Sequence, residues 1–350
     1  MSISMREIAK LAGVSSATVS RVINGSDRVT DETASRIRKI IADLKFVPNN
    51  SAIHLKQGKS QIYGIIIPDL TNPFFTELVK IFEEVLVENE QELLVANTDF
   101  HSTRLQRSIR RMLLRRVDGV AVLTSEHEAA DIESLVQNRI PVVTTDHYRT
   151  ACGISDIIID FPGGVMQMVA HLKKLGHRQL GFIGGTEGLE TSRVRRESFM
   201  DAVVKQGLTS REGWIATGNF KIDGGSAAMA RILAQHDLPT AIVTANDLTA
   251  IGAMRTAYEK GLRIPDHISV AGCDDIEMSD IVNPPLTTLR ISRRDYARML
   301  FEALRETGKD LSRPGPTFRL PMTLVVRRST GAPPANPRSV TRKIATTRAR

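Results

Sequence analysis

The sequence is poor in the residues that carry redox and metal chemistry. It has two cysteines, Cys152 and Cys273, far apart along the chain. They cannot frame a disulfide scaffold, so reduced thiols filling small core spaces are expected, in a cytoplasmic protein. There is no CxxC and no HExxH, and the eight histidines are scattered, so no metal site is expected. No apolar run approaches the ~18 residues of a membrane span. The first residues carry no apolar signal-peptide core, which argues against export. The run FIGGTEG (182–188) is glycine-rich but fits neither GxGxxG nor the P-loop. No Ser–His–Asp arrangement is suggested. An enzyme on this chain would lack a motif, and no cofactor is expected.

What is present begins with charge. The formal net charge is +8, and the basicity sits at the two ends. Residues 1–60 hold ten Lys/Arg against five Asp/Glu, and residues 331–350 hold five Lys/Arg and no acid. The body between them is slightly acidic. A basic head is the electrostatic footprint of a phosphate-backbone partner. No basic amphipathic surface helix points to a membrane. The length suggests two to three domains, and 41% hydrophobic residues suffice for sizeable cores.

The stretch Val14–Thr30, VSSATVSRVINGSDRVT, reads as a short helix. Ser15 is a good N-cap, because its hydroxyl can accept a first-turn N–H. Gly25 suits the left-handed position after the last turn. At ~100° per residue, Val19, Val22 and Ile23 share one side. Ser16, Ala17, Ser20, Arg21 and Asn24 form a stripe on the other. The apolar side must pack. The small, polar stripe can approach a second surface closely. Upstream, Ser4-Met5-Arg6-Glu7 is a capping box, with Ile3 and Ile8 placed as a hydrophobic staple. Met5, Ile8, Ala9 and Ala12 follow helical spacing, and Ala12-Gly13-Val14 is a short turn. Helix, glycine turn, helix is the helix-turn-helix arrangement. A third helix opens at Thr30, with Asp31 and Glu32 in its first turn, and runs to about Leu44. Spacing alone fits either a DNA-reading head or a plain helical cap. The charge favours DNA.

Pro48 ends the third helix. Asn49–Lys56 predicts one or two helical turns, too short to be stable alone, and Gln57–Ser60 reads as linker. From Gln61 apolar runs alternate with longer helical stretches. Strands are expected at 62–68, 92–98, 118–123 and 140–145, with helices near 74–90, 102–115 and 127–138. A second series begins near Phe161, with strands at 179–185, 214–218, 240–245 and 267–273. Its helices lie near 163–175, 192–206, 224–236 and 247–260. Alternating βα units imply a parallel sheet covered on both faces, and two series imply two lobes. Ligands in such folds sit beyond the carboxyl ends of the strands.

At this level of detail a family becomes visible. VSSATVSRVIN, FVPNNSAIHL, LTNPFF (70–75), RVDGVAVL (116–123), IPVVTTD (140–146), LGHRQLGFIGG (175–185), TAIVTANDLTAIGAM (240–254), GLRIPDHISVAGCDD (261–275) and PPLTTLR (284–290) resemble, in order and spacing, the lactose/galactose repressor (LacI/GalR) family of bacterial transcriptional regulators. The resemblance runs from about Met5 to Arg328. It implies a helix-turn-helix head at 1–47 and a hinge helix with linker at 48–60. It implies an α/β core of two periplasmic-binding-protein-like lobes, each a doubly wound parallel sheet. The N-terminal lobe would take 61–160 plus about 291–320, the C-terminal lobe 161–290 plus about 321–328. Residues 329–350 remain as a disordered basic tail. The implied function is a homodimeric repressor on a pseudo-palindromic operator, in the cytoplasm with the nucleoid. A small polar effector, a sugar or sugar derivative, would sit in the inter-lobe cleft.

The resemblance also assigns residues. Ser16, Ala17 and Arg21 fall at major-groove readers: Arg21 can grip guanine O6 and N7, and Ser16 and Ala17 suit close approach and a thymine methyl. Ser15, Thr18, Ser20 and Asn24 look like backbone contacts, although Thr18 reads equally as a helix-packing hydroxyl. Asn49, Ser51, Ala52, Leu55 and Lys56 belong to the hinge. Leu55 resembles the wedge that opens a minor-groove step; a plain linker residue is the alternative. Asn72, Phe74, Phe75 and Phe220 follow strands and look like ring-stacking effector contacts. Asp146, Arg195, Asn246 and Asp274 look like its hydrogen-bond partners, joined by Ser125 and Thr191. Each of these also reads as a core, surface or capping residue. Asp160 is assigned to the crossover between lobes and His177 to structure.

Purine-binding members carry an Arg before the Thr. Leu189 stands there, which argues against a purine. A solute-binding receptor without a DNA role, and control by a phosphoprotein co-effector, are the alternatives. The tail has Pro333, Pro334 and Pro337 and no Leu, so no heptad helix is expected and the assembly should stop at a dimer.

Overall fold

Ser4 opens the head with the expected capping box. Its hydroxyl accepts Glu7 N–H at 3.3 Å, and the Glu7 carboxylate accepts Ser4 N–H at 2.7 Å. The computed structural model describes residues 4–23, 28–46, 59–124, 129–146 and 150–335. It divides into two units, Met1–Ser60 and Gln61–Arg350. In the first, α1 (Met5–Ala12) stops at Gly13, whose φ of 66° a side chain would resist. The second helix, α2 (Ser16–Ile23), is capped by the Ser15 hydroxyl, which accepts Thr18 N–H at 3.1 Å. The third, α3 (Asp31–Asp43), has Thr30 as N-cap. Ile8, Val19 and Ile37 meet fully buried, with Ala9, Ala12, Val22 and Ala34 around them. Burying such aliphatic side chains is worth about 1.5–3 kcal/mol each. That packing fixes which face of α2 points out. Gly25 and the hinge residues lie outside the described residues.

The second unit holds two six-stranded sheets. The first comprises β1 (Ile62–Ile67), β2 (Glu92–Asn97), β3 (Gly119–Val122), β4 (Val142–Thr145), β5 (Ile154–Ile159) and β11 (Thr317–Leu320), in the order β11-β5-β4-β3-β1-β2. Every pairing in it is parallel. Its helices are α4 (Pro73–Val87), α5 (Ser102–Arg115), α6 (Ala129–Gln137) and, late in the chain, α12 (Arg293–Thr307). The second sheet comprises β6 (Leu180–Gly184), β7 (Ile215–Thr217), β8 (Ala241–Thr244), β9 (Ser269–Asp274), β10 (Thr287–Ile291) and β12 (Met322–Val325). Its order is β12-β10-β9-β8-β6-β7, and only the β10–β12 pair is antiparallel. Its helices are α7 (Phe161–Lys174), α8 (Glu190–Lys205), α9 (Ile222–Leu233), α10 (Asp247–Glu259) and the short α11 (Met278–Ile281). The chain therefore crosses between lobes after β5, after β10 and after β11. Asp160 marks the first crossing and caps α7, its carboxylate accepting Gly163 N–H at 3.0 Å.

Three expectations change. Strands β5, β10, β11 and β12 were not expected from apolar runs. Cys152 is exposed, its thiol donating to Ser312 O at 3.1 Å, while Cys273 alone fills core space. The tail does not begin at Ser329. Ser329 is fully buried: its hydroxyl donates to Val270 O at 2.6 Å and accepts Thr287 N–H at 2.8 Å. Gly331 O then meets His177 Nε2 at 2.9 Å, and Thr240 Oγ1 holds the other ring nitrogen at 2.8 Å, so His177 is structural. Residues 336–350 lie outside the described residues.

Candidate functional site

In each sheet the strand order reverses once, at β1 in the first and at β6 in the second. Open α/β sheets bind ligands beyond the carboxyl ends of the strands at such points. Those ends converge on one cavity of about 110 Å³. Asn72, Phe74 and Phe75 reach it after β1, Phe100 after β2, Leu123 and Thr124 after β3, and Asp146 after β4. From the other lobe come Thr191 and Arg195 after β6, Phe220 after β7, Asn246 after β8 and Asp274 at the end of β9. Tyr296 of α12 closes one side. Thus nine of the ten expected effector residues line one cavity; Ser125 lies outside the described residues. A larger concavity of about 480 Å³ between α8 and the β7 edge shares Glu190 with it but includes none of the expected effector residues.

Arg195 organises the C-terminal side. Its guanidinium lies over Phe161 at 4.3 Å and Phe220 at 5.4 Å, and it stands 3.9 Å from the Asp274 carboxylate. It donates to Ala245 O, and its buried Nε finds no partner. An unsatisfied charged donor is costly, so this N–H is poised for an acceptor from outside. Phe220 presses on Gly185: a Cβ there would sit 2.1 Å from the ring. This explains part of the glycine-rich run after β6.

Two carboxylates face this one guanidinium. Burial pushes Asp146 up to about 7, against the opposing pull of Ile159 N–H, which it accepts at 2.7 Å, and of Arg195. Burial also raises Asp274, with Arg195 and Arg293 opposing. Behind it, buried Asp247 is raised by desolvation and by Asp274, while Ser279 Oγ and Ile276 N donate to it at 2.7 and 3.0 Å. Asp146, Phe220, Asp274 and Phe100 have φ of 57°, 62°, 118° and 57°. Positive φ is rare for residues with a side chain, and such strain gathers at binding sites.

Some expected contacts serve the fold. Asn246 caps α10: its Oδ1 accepts from Thr249 N and Oγ1, and its Nδ2 donates to Phe220 O at 2.9 Å. It holds Phe220 in place. Asn72 caps α4, accepting Phe74 N–H at 3.0 Å. In the head, Ser15, Ser16, Ala17 and Arg21 are exposed and Thr18 and Ser20 half-buried. Thr18 shares a hydrogen bond with Ser15, so it is a local capping group rather than a buried packing residue. Asn24, Asn49, Ser51, Ala52, Leu55 and Lys56 lie outside the described residues. Among the described residues no cluster could hold a metal ion, and no helix is long and apolar enough to cross a membrane.

Comparison with known proteins matches this arrangement. Residues 4–49 fit the family described as bacterial regulatory proteins, lacI family, and residues 169–330 fit the periplasmic binding protein-like domain. The ribose operon repressor of Haemophilus influenzae is 30% identical over 326 residues, 93% of this chain and 98% of that protein. The chain belongs to the LacI family. The HTH-type transcriptional repressor PurR of Glaesserella parasuis is 34% identical over 304 residues, 86% of this chain and 89% of that one. Among solved structures, the lac repressor dimer bound to operator and the anti-inducer ONPF matches with a TM-score of 0.84 at 25% identity, covering 95% of this chain and 100% of that one. A LacI family regulator from Enterococcus faecium with bound ribose matches at 0.68 and 25% identity, over 77% and 98%. As a LacI-family member the chain is a DNA-binding repressor with an effector-binding domain, and its relatives are transcriptional repressors rather than enzymes.

For this LacI-family chain, sequence reasoning missed Phe161, Tyr296 and Arg293. Tyr296 shares a 2.6 Å hydrogen bond with Thr145 and packs 6.5 Å from the Phe74 ring. Arg293 lies over Phe74 at 4.9 Å, donates to the carbonyls of Asp274 and Asp275, and pairs with Glu77 at 3.1 Å. Its Arg290-Ile291-Ser292-Arg293-Arg294 context reads as surface charge. Its place just after β10 gave no signal, because that strand is itself not expected from the sequence.

Proposed function

We propose that the protein is a homodimeric repressor whose cleft binds a small polyol of monosaccharide size. The observation that carries this is the Asp146–Arg195–Asp274 set, held between aromatic rings from both lobes. Two carboxylates can accept from sugar hydroxyls, and the Arg195 Nε can donate to one, so each hydroxyl can act both ways. Phe74, Phe75 and Phe220 suit the apolar faces of a sugar ring. A cavity of about 110 Å³ is small against the roughly 300–1,000 Å³ of most ligand sites, which favours one sugar ring over two. The relatives' names do not choose the ligand: one is a ribose operon repressor, another PurR. In the head, exposed Ser16, Ala17 and Arg21 are assigned to base reading and Ser15, Thr18 and Ser20 to the backbone. Tyr258, Met278 and Ile281 leave an exposed apolar patch on the C-terminal lobe, suited to a second copy.

Calorimetric titration with a panel of pentoses and hexoses, D-ribose first and disaccharides as controls, tests the cleft. One monosaccharide should bind, and Arg195→Ala and Asp274→Ala should each abolish it with folding and DNA binding intact. A ligand whose affinity neither substitution changes would move the effector site elsewhere.

A further inference from the structure

No basic amphipathic surface helix is expected from the sequence, yet the core carries one. Its apolar side is packed on the sheet's core rather than free for a membrane, and the cleft makes no use of it. α5 carries Arg104, Arg107, Arg110, Arg111 and Arg115 and no acid, and Arg116 follows as its C-cap. Leu105, Ser108, Ile109 and Met112 form its buried side, and all six arginines are exposed. Arg104 pairs with Asp99 at 3.3 Å; the other five have no ion pair among the described residues. Arg107, Arg111 and Arg115 follow at four-residue steps, so they stand on one face about 6 Å apart along the axis. Like charges at that spacing repel. The row therefore carries an electrostatic cost that an anionic partner would relieve.

The position of the row points to the partner. As a crossover between parallel strands, α5 runs back to the end of the sheet where β1 begins. There Asp118 N–H donates to Ile62 O at 2.7 Å, and the Asp118 carboxylate accepts Gln61 N–H at 2.8 Å. Gln61 is where the chain arrives from the DNA-binding head. Arg115 and Arg116, which close α5 just before Asp118, thus lie at the end of the helix nearest Gln61. We propose that this arginine face is a second DNA contact, gripping backbone phosphates of a duplex. The inference rests on DNA binding by the head. A duplex presents one charge per ~1.7 Å of axis, so a helix of ~21 Å faces roughly a dozen. An acidic protein would want an aromatic or apolar anchor at the centre of the patch; the face offers only Leu114, 75% exposed. Arginines with no aromatic among them suit a phosphate backbone.

The test uses the full-length protein and a labelled random-sequence duplex, read by fluorescence anisotropy over a salt series. Arg107→Gln, Arg111→Gln and Arg115→Gln together should make the slope of log K against log salt shallower by about 2–3, since each phosphate contact contributes ~0.9. A control removes the same charge elsewhere, by Arg211→Gln, Arg255→Gln and Arg263→Gln, and should leave the slope near that of the wild type. A triple α5 variant with the wild-type slope, or one matched by the control, overturns the proposal and leaves an acidic protein as the partner to seek. A wild-type protein that fails to bind duplex at low salt would overturn the DNA-binding reading itself, a separate and visible outcome.

Discussion

The guanidinium of Arg293 stands 3.1 Å from the carboxylate of Glu77 on α4 and donates to the main-chain carbonyls of Asp274 and Asp275 at the end of β9. One side chain thereby joins a helix of the first lobe to the last turn of a strand in the second. The other Glu77 oxygen accepts Glu277 N–H at 3.3 Å. Both held residues are in positive φ, at 118° and 57°, so the fork fixes a conformation that the backbone alone resists. Burial pushes the Asp275 carboxyl up, but the hydrogen bonds and charges of Arg290 and Arg327, which clamp it, hold its pKa below the ordinary value.

This arrangement sets a first prediction. Arg293→Gln should destabilise the fold by about 3 kcal/mol, the low end for breaking a buried pair, because Glu77 is one-third exposed and partly screened. Glu77→Gln should cost about 1 kcal/mol. Combined, they should cost less than the sum. Chemical denaturation of the two single variants and the double variant measures this. Strict additivity would mean that Arg293 acts through the carbonyls alone.

How much of this could be read from the chain? The head was legible almost to the residue, because the capping box, Gly13 and the Val19–Val22 face act over three or four residues. The first strands of each lobe were legible as apolar runs bounded by turns. Strand β5 escaped because Asp156, fully buried against Thr144 Oγ1 at 2.9 Å, interrupts its apolar pattern. Strands β11 and β12 escaped because Thr317–Leu320 and Met322–Val325 are short and half-exposed. The cleft residues came from resemblance, and no local pattern predicts Phe161 under Arg195. Positive φ at Asp146 and Phe220 has no sequence signal either, since neither is a glycine. Contacts between distant segments decide these features.

The second prediction concerns base reading. Arg21 is exposed on α2 and Val19 and Val22 hold the opposite side in the head core. Arg21→Ala should weaken operator binding by about 1–3 kcal/mol, the worth of a bidentate base contact, and non-specific binding much less. Equal losses on operator and random duplex, measured side by side, would make Arg21 a phosphate contact.

A third prediction follows from Gly185. A methyl group at that position would occupy the Phe220 ring, 2.1 Å from its nearest carbon. Gly185→Ala should therefore displace Phe220, lose the effector and cost about 1–3 kcal/mol as overpacking. DNA binding should persist. Retained effector affinity would show that Phe220 does not face the ligand.

The fourth is a pH dependence with a definite sign. Burial raises Asp146 to about 7 from an ordinary 3.8. The folded protein then holds a proton that the unfolded chain has released, so this group's contribution to stability falls as pH rises from about 4 to about 7. A ligand whose hydroxyls donate to the carboxylate favours its ionised form and expels that proton. Effector affinity should therefore rise between about pH 5.5 and about pH 8, and Asp146→Asn should flatten the rise. Affinity falling with pH in the wild type would mean that the ligand meets a protonated Asp146.

The last prediction separates the tail from the fold. Ser329 is fully buried and ties Val270 to Thr287, and Gly331 ties His177 and Ser269 into the same end of the second sheet, where β9 and β10 begin. Ser329→Ala removes one hydroxyl and strands both Val270 O and Thr287 N–H, so it should cost about 1–3 kcal/mol per orphaned group. Later in the sequence, residues 336–350 contain Pro337, four Arg, one Lys and no Leu. Only Val340 and Ile344 could face a partner helix, too few for a heptad seam of roughly three repeats or more. Removing residues 336–350 should leave the melting temperature unchanged. Equilibrium sedimentation should give two chains before and after the cut. A four-chain species that disappears on truncation would place an assembly helix in the tail. A tail whose Lys and Arg neutralise phosphates would instead make the salt dependence of DNA binding shallower once removed, by about 0.9 for each phosphate that it had neutralised.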